Sequence, residues 1–385
     1  MPRQGDAKLA RKGRGASVQR GTSTPASGPL TVDVGGNGSS GEVSLGRRFL
    51  NPRTALSFAV AFAILFFLAT RAQIDFGGTL RAIAGANPAY YLLAVVAYYL
   101  VFPVRALRWR RMMANAGFSG AEIPGAGRAA QIIFLSWFAN CLVPAKLGDV
   151  YRAYLLKRWC GVSGSKAGGT IVGERLLDLA TLLLLAAGAG LVAVRGQPGD
   201  RLAVLLGPLE ILSVVVVLAA VAILSMRLWS AWLHGLLPAR VRGLYARFAE
   251  GAVGSFGAFQ VLLPYSLLAW LCEALRLFLV VRALGIVVAP DPIAELAVVT
   301  AVSLVGSLLT ALPLTPAGLG FVESGLVGAL LLVGVPDRGQ ALSIAVLDRT
   351  ISWASLVVVG IVVYLASARV PTRRAAPSDE SPDRA

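Results

Sequence analysis

Between Arg128 and Asp178, charged side chains stand beside helix-breaking residues inside apolar sequence. The stretch reads RAAQIIFLSWFANCLVPAKLGDVYRAYLLKRWCGVSGSKAGGTIVGERLLD. Asn140, Lys146, Asp149, Arg152, Glu174, Arg175 and Asp178 are its notable polar members, and Pro144 and Gly148 bracket a turn. Guanidinium groups grip phosphate or carboxylate through paired N–H donors. A helix starting near Asp149 aims its first amides at the turn, a setting that favours an anion. Asp149 could equally cap that helix. Charges at membrane depth cost about 2.5–3.5 kcal/mol each on insertion scales, so they persist where they are paired or useful.

Spacing sets the first pairing expectations. Arg175 can reach Asp178 three residues on, whereas Glu174 and Asp178, four apart, repel. Glu174 therefore needs a partner from elsewhere, and Lys146 or Arg152 is the natural candidate. Arg105 and Arg108 share one helical face at the end of an apolar run, next to Trp109, Arg110 and Arg111. They either anchor topology at a membrane interface or hold a phosphate. Glu273 and Arg276 can pair within one helix. Cys141, Cys160 and Cys272 lack ligand spacing and His234 is the single histidine. No metal, no cofactor and no His-based catalytic triad is expected.

Stepping outward, 56% of the 385 residues are hydrophobic and 15% charged, against about 25% charged in soluble domains. The apolar residues fall in long blocks, which predicts an all-α polytopic membrane protein of about six to eight transmembrane helices. The net charge of +16 lies largely in the tails and short loops. There it orients helices and attracts anionic lipid, and no nucleic-acid module accompanies it. Residues 1–50 read as a disordered basic cytoplasmic tail, 51–368 as the transmembrane domain, and 369–385 as a second disordered tail. Both termini are expected on the cytoplasmic side of the plasma membrane.

Apolar segments are expected at Ala55–Thr70, Pro88–Leu107, Gly168–Val194, Leu202–Leu224, Val261–Leu284, Ala294–Pro313, Gly318–Val335 and Ala341–Ala366. Gln131–Val143 is too short for a full crossing and reads as one arm of a re-entrant hairpin. Within Met226–Gln260, Val241, Leu244, Tyr245, Phe248 and Ala252 share a helical face, the pattern of an interfacial amphipathic helix.

A repeat organises these parts. Pro144–Val150 (PAKLGDV) matches Pro316–Val322 (PAGLGFV) at five of seven positions. Glu174-Arg175 follows the first turn and Asp348-Arg349 the second at nearly the same distance. Two copies, about 128–194 and 294–366, would enter the membrane from opposite sides, the inverted arrangement from which transporters build a midplane site. Pro144, Gly148, Pro316, Gly318 and Gly320 form the hairpin turns, and Glu323 on the second arm could pair with Arg349.

Arg105-x-x-Arg108-Trp109, Asn140-x-x-x-Pro144-Ala145-x-x-Gly148-Asp149-x-x-Arg152, Glu174-Arg175-x-x-Asp178 and Pro313-x-x-Pro316-x-Gly318-x-Gly320-x-x-Glu323 carry a family resemblance. Over about residues 50–368 the chain resembles the membrane region of lysylphosphatidylglycerol synthase/flippase proteins. That resemblance implies a helical domain that moves polar-headed lipids between leaflets, or helps to, with Arg152, Glu174, Arg175, Asp178 and Glu323 in its motif core. No soluble acyltransferase domain follows Ala366, so aminoacyl transfer is not expected of this chain alone. The candidate substrate-binding residues are Arg105, Arg108, Asn140, Lys146, Asp149, Arg152, Glu174, Arg175, Asp178, Glu323, Asp348 and Arg349. The expected function is a flippase or transporter for an anionic or glycosylated lipid. The alternatives are a membrane transferase acting on a lipid phosphate, with Glu174 or Asp178 as base, and an accessory subunit of a lipid- or glycan-modifying enzyme.

Overall fold

The computed structural model describes residues 76–142, 147–193, 210, 213–222, 224–226, 238–311 and 315–367. The expected first span Ala55–Thr70, the turn residues Pro144, Ala145 and Lys146, Pro313, His234 and both tails lie outside the described residues. No β-strand occurs among those described. The helices are α1 (Phe76–Ala84), α2 (Pro88–Asn115), α3 (Ala126–Leu142), α4 (Leu147–Cys160), α5 (Gly164–Ala193), α6 (Ala239–Gly254), α7 (Phe259–Ala283), α8 (Pro292–Ala311), α9 (Phe321–Leu332), α10 (Arg338–Arg349) and α11 (Leu356–Ser367). Among the described residues, three helical runs, Pro88–Asn115, Pro292–Thr310 and Arg338–Ser367, are long and apolar enough to cross a membrane.

Helix α2 starts where its sequence says it should. Pro88 occupies the first turn, and the Asn87 side chain accepts from the Ala89 amide at 2.9 Å, which satisfies an otherwise orphaned donor. The helix does not stop near Leu107 as its apolar run suggests; it continues to Asn115. Arg105, Arg108 and Trp109 are buried on its inner side, so helical packing carries the backbone on past the charges. Leu92, Leu93, Val96 and Leu100 are exposed, as expected of a side that meets lipid.

The last helical run is interrupted by a π-helical turn at Thr350–Ser355. Three tyrosines of α2 dock on it. Tyr91 Oη lies 2.9 Å from Thr350 Oγ1, Tyr98 donates to the Ser352 carbonyl at 3.0 Å, and Tyr99 Oη lies 2.9 Å from Ser355 Oγ. These phenols satisfy polar groups inside the bundle, where an unpaired one is costly. Widened turns of this kind often mark functional sites.

Helix α6 lies against α5 through glycines. A Cβ on Gly169 would sit 2.1 Å from the Phe248 carbonyl oxygen, and one on Gly251 would sit 2.1 Å from that of Lys166. Small residues allow this backbone-to-backbone approach. The expected amphipathic face of α6 is therefore graded. Ala252 is buried, Tyr245 and Phe248 are half-buried, and Val241 and Leu244 are exposed.

Candidate functional site

Helix α4 forms despite its mixed polarity because two rows face inward: Tyr151, Leu155 and Trp159, and Arg152 with Leu156, all buried. Asp149 lies in its first turn and Lys157 and Arg158 in its last, complementing the helix dipole. Gly161, at a φ of 73°, ends it. At its start the Gly148 amide donates to Asn140 Oδ1 at 2.8 Å, and a Cβ on Gly148 would fall 2.1 Å from the Ser136 carbonyl oxygen. Only glycine fits where the start of α4 meets α3.

Helices α2, α4 and α5 then bring seven ionised side chains together. Arg105 reaches Asp178 at 3.0 Å, and Arg108 reaches both Asp178 at 2.7 Å and Glu174 at 2.9 Å. Arg152 closes on the other oxygen of Glu174 at 2.7 Å, with its guanidinium carbon 3.8 Å from the Trp109 ring centroid. Arg105 lies between Trp137 and Trp270, at 5.3 and 5.1 Å. Arg152 is therefore the partner that Glu174 required. Arg175 meets Asp178 only at 3.8 Å and instead makes a two-bond contact with Asp149, at 2.6 and 3.1 Å. Arg108 is wholly enclosed, so its charge is spent on carboxylates and on Ser266 Oγ at 2.9 Å.

A second group also pairs arginines with carboxylates. Arg276 pairs with Asp348 and, at 3.3 Å, with Glu273. Arg349 reaches Glu323 at 2.8 Å, as the place of Glu323 on the second arm suggests, and donates to the Ala317 carbonyl at 3.3 Å. The other oxygen of Glu323 accepts from the Gly320 amide at 2.6 Å, holding the start of α9. Thus Arg175 and Arg349 each clasp a carboxylate in the first turn of another helix, Asp149 of α4 and Glu323 of α9.

Between the two groups lies a cavity of about 410 Å³. Of the candidate residues, Arg105, Asn140, Arg175, Asp178, Asp348 and Arg349 line it, together with Gly318. Arg108, Asp149, Arg152, Glu174 and Glu323 do not line it; each contacts a charged residue that does, or braces one through a shared partner. Tyr98, Trp137, Trp270, Glu273 and Arg276 also line the cavity and were not among the candidates. Glu273 and Arg276 had a legible signal, since two charges in an apolar helix are expensive. The aromatic residues had none. Leu179, Leu182, Leu277, Leu326 and Leu356 supply apolar lining.

Residues 54–360 match the family described as the lysylphosphatidylglycerol synthase TM region. The chain belongs to this family. Every charged residue of the two groups falls inside the matched span of the lysylphosphatidylglycerol synthase TM region. Among relatives, the UPF0104 membrane protein MJ1078 of Methanocaldococcus jannaschii is 32% identical over 232 residues, covering 59% of this chain and 93% of the relative. Glycosyltransferase AglD of Haloferax volcanii is 26% identical over 342 residues, covering 80% of this chain but 54% of AglD. A UPF0104 membrane protein of Methanothermobacter thermautotrophicus is 22% identical over 348 residues, 82% of this chain and 93% of the relative.

Proposed function

We propose that this member of the family is a lipid flippase, which carries a polar lipid headgroup between leaflets while the acyl chains stay in the bilayer. The observation carrying this reading is the cavity itself. Charged residues near both hairpin turns line it, along with leucines, inside a chain of a membrane family. A headgroup in such a cavity exchanges water for fixed ion pairs and hydroxyls, which lowers the barrier that hydrocarbon imposes on a polar group. The near-matching clasps of Arg175 on Asp149 and Arg349 on Glu323 suit two arms of an inverted repeat that expose the cavity alternately.

The test is leaflet exchange in vesicles containing the purified chain. Acyl-labelled lipids are incorporated and the outer leaflet is quenched chemically. Exchange above that of protein-free vesicles for at least one polar-headed lipid is expected. No exchange for any lipid tried overturns the proposal. The likeness to AglD favours one second reading, an accessory membrane subunit for a glycan-transferring enzyme. Silence in vesicles, together with stimulation of such an enzyme when co-reconstituted, would select it.

A further inference from the structure

Counting basic residues alone suggests an anionic ligand, but the carboxylates that fold beside them change the class. In the first group four guanidiniums, Arg105, Arg108, Arg152 and Arg175, stand against three carboxylates, Asp149, Glu174 and Asp178. In the second, Arg276 and Arg349 stand against Glu273, Glu323 and Asp348. Among the described residues, one side of the cavity thus carries one positive charge in excess, and the other one negative. Taken over both sides, the charges cancel.

We infer that the cavity selects a zwitterionic headgroup, a phosphate joined to a primary amine. The phosphate faces Arg105 and Arg175, and the ammonium faces Glu273 and Asp348. This rests on the lipid-carrier reading and narrows its headgroup. A lone anion would leave the excess carboxylate uncompensated in a low-dielectric site, and a lone cation would leave the excess guanidinium so. A neutral sugar would answer neither.

Two further observations agree with the assignment. The buried indole N–H of Trp270 has no hydrogen-bond partner among the described residues and belongs to a cavity-lining ring beside Arg105. It offers a donor to a phosphate or ester oxygen. The lining hydroxyls of Ser307, Thr310 and Thr315 each donate to a backbone carbonyl, at 3.0, 2.8 and 2.8 Å. Their oxygens remain able to accept, which suits an ammonium group.

The experiment presents the full chain in micelles with equimolar phosphatidylethanolamine, phosphatidylglycerol and a glycosyl diacylglycerol of matched acyl chains. Retained lipid is then read by native mass spectrometry. Phosphatidylethanolamine should be retained over each competitor by about tenfold, the discrimination expected for one uncompensated charge. Glu273→Gln should lower that preference over phosphatidylglycerol by about tenfold, and Glu273→Asp should restore it. Equal or better retention of phosphatidylglycerol or the glycolipid by the wild-type chain overturns the inference while leaving a lipid carrier in place. So does an unchanged ratio in a Glu273→Gln chain that melts like wild type. If that variant does not fold, the wild-type comparison decides alone. Retention of no lipid, with no exchange in vesicles, overturns the lipid-carrier reading and this inference with it.

Discussion

Arg152 Nη1 stands 2.7 Å from Glu174 Oε2 while its guanidinium carbon lies 3.8 Å from the centroid of the Trp109 ring. One side chain therefore ties α4 to both α5 and α2. Both ions are 2% exposed. Glu174→Gln strands Arg152 as a buried charge and should destabilise the chain by about 3–5 kcal/mol; Arg152→Gln leaves Glu174 its contact with Arg108 at 2.9 Å and should cost less. The double variant should lose less than the sum, with a coupling of about 0.5–3 kcal/mol. Denaturant unfolding in detergent measures all three, and strictly additive losses would refute the coupling. Arg152→Lys should recover only part of the loss, because an ammonium cannot both stack on Trp109 and present a planar fork.

The α5–α6 crossing offers a test with opposite signs. Gly169→Ala and Gly251→Ala place a methyl 2.1 Å from a carbonyl oxygen. Such a methyl cannot be relieved by a rotamer change, and each should cost about 1–3 kcal/mol. Gly243 lies in the same α6 helix, and a Cβ added there would meet open space, so Gly243→Ala should stabilise by about 0.5–1 kcal/mol. Thermal unfolding separates the two cases. A similar response at all three positions would show that helix propensity, not close approach, governs them.

Local patterns made part of this molecule legible in the sequence. Apolar runs announce the bodies of α5, α7 and α8, spacing announces the pair of Arg276 with Glu273, and the places of Glu323 on the second arm and Arg349 on the following span suggest theirs. The repulsion from Asp178 also shows that Glu174 needs a partner from elsewhere. The turn toward Asp178 by Arg105 and Arg108, and the pairing of Arg276 with Asp348, were not legible. Each joins helices about seventy residues apart in the chain, and no periodicity records which helix lies beside which. Of the cavity, the sequence indicates only a midplane site between two kinked segments. Its Trp137 and Trp270 walls depend on packing, and in sequence a cavity tryptophan reads like any other apolar residue.

Ala317 has a φ of 50° in the turn at Pro316–Gly318. For an L-residue with a Cβ the left-handed region costs roughly 1–2 kcal/mol. The contact from Arg349 to the Ala317 carbonyl helps hold the turn there. Ala317→Gly should be neutral to stabilising by about 1 kcal/mol, since relief of strain is partly offset by a freer unfolded chain. Gly318→Ala should go the other way: φ is 71° and the new methyl would sit 2.6 Å from Val322 Cγ2. Unfolding of both variants checks the pair, and destabilisation by Ala317→Gly would mean that the residue is not strained.

The Arg175–Asp149 clasp allows stability to be tested apart from the proposed transport. Arg175 is 39% and Asp149 23% exposed at the side chain, so water screens the pair and its contribution to stability should be only about 0–1 kcal/mol. Yet it fixes α4, the second arm of the first hairpin, to a guanidinium that lines the cavity. Lysine keeps the charge but cannot reproduce the two-bond contact. If the headgroup crosses while these arms move, Arg175→Lys should shift Tm by no more than about 2–4 °C and still slow leaflet exchange by about tenfold, the effect of one lost charge-assisted contact. Paired melting and vesicle measurements on the same preparation check this. Wild-type exchange in an Arg175→Lys chain would show that the clasp serves only the fold.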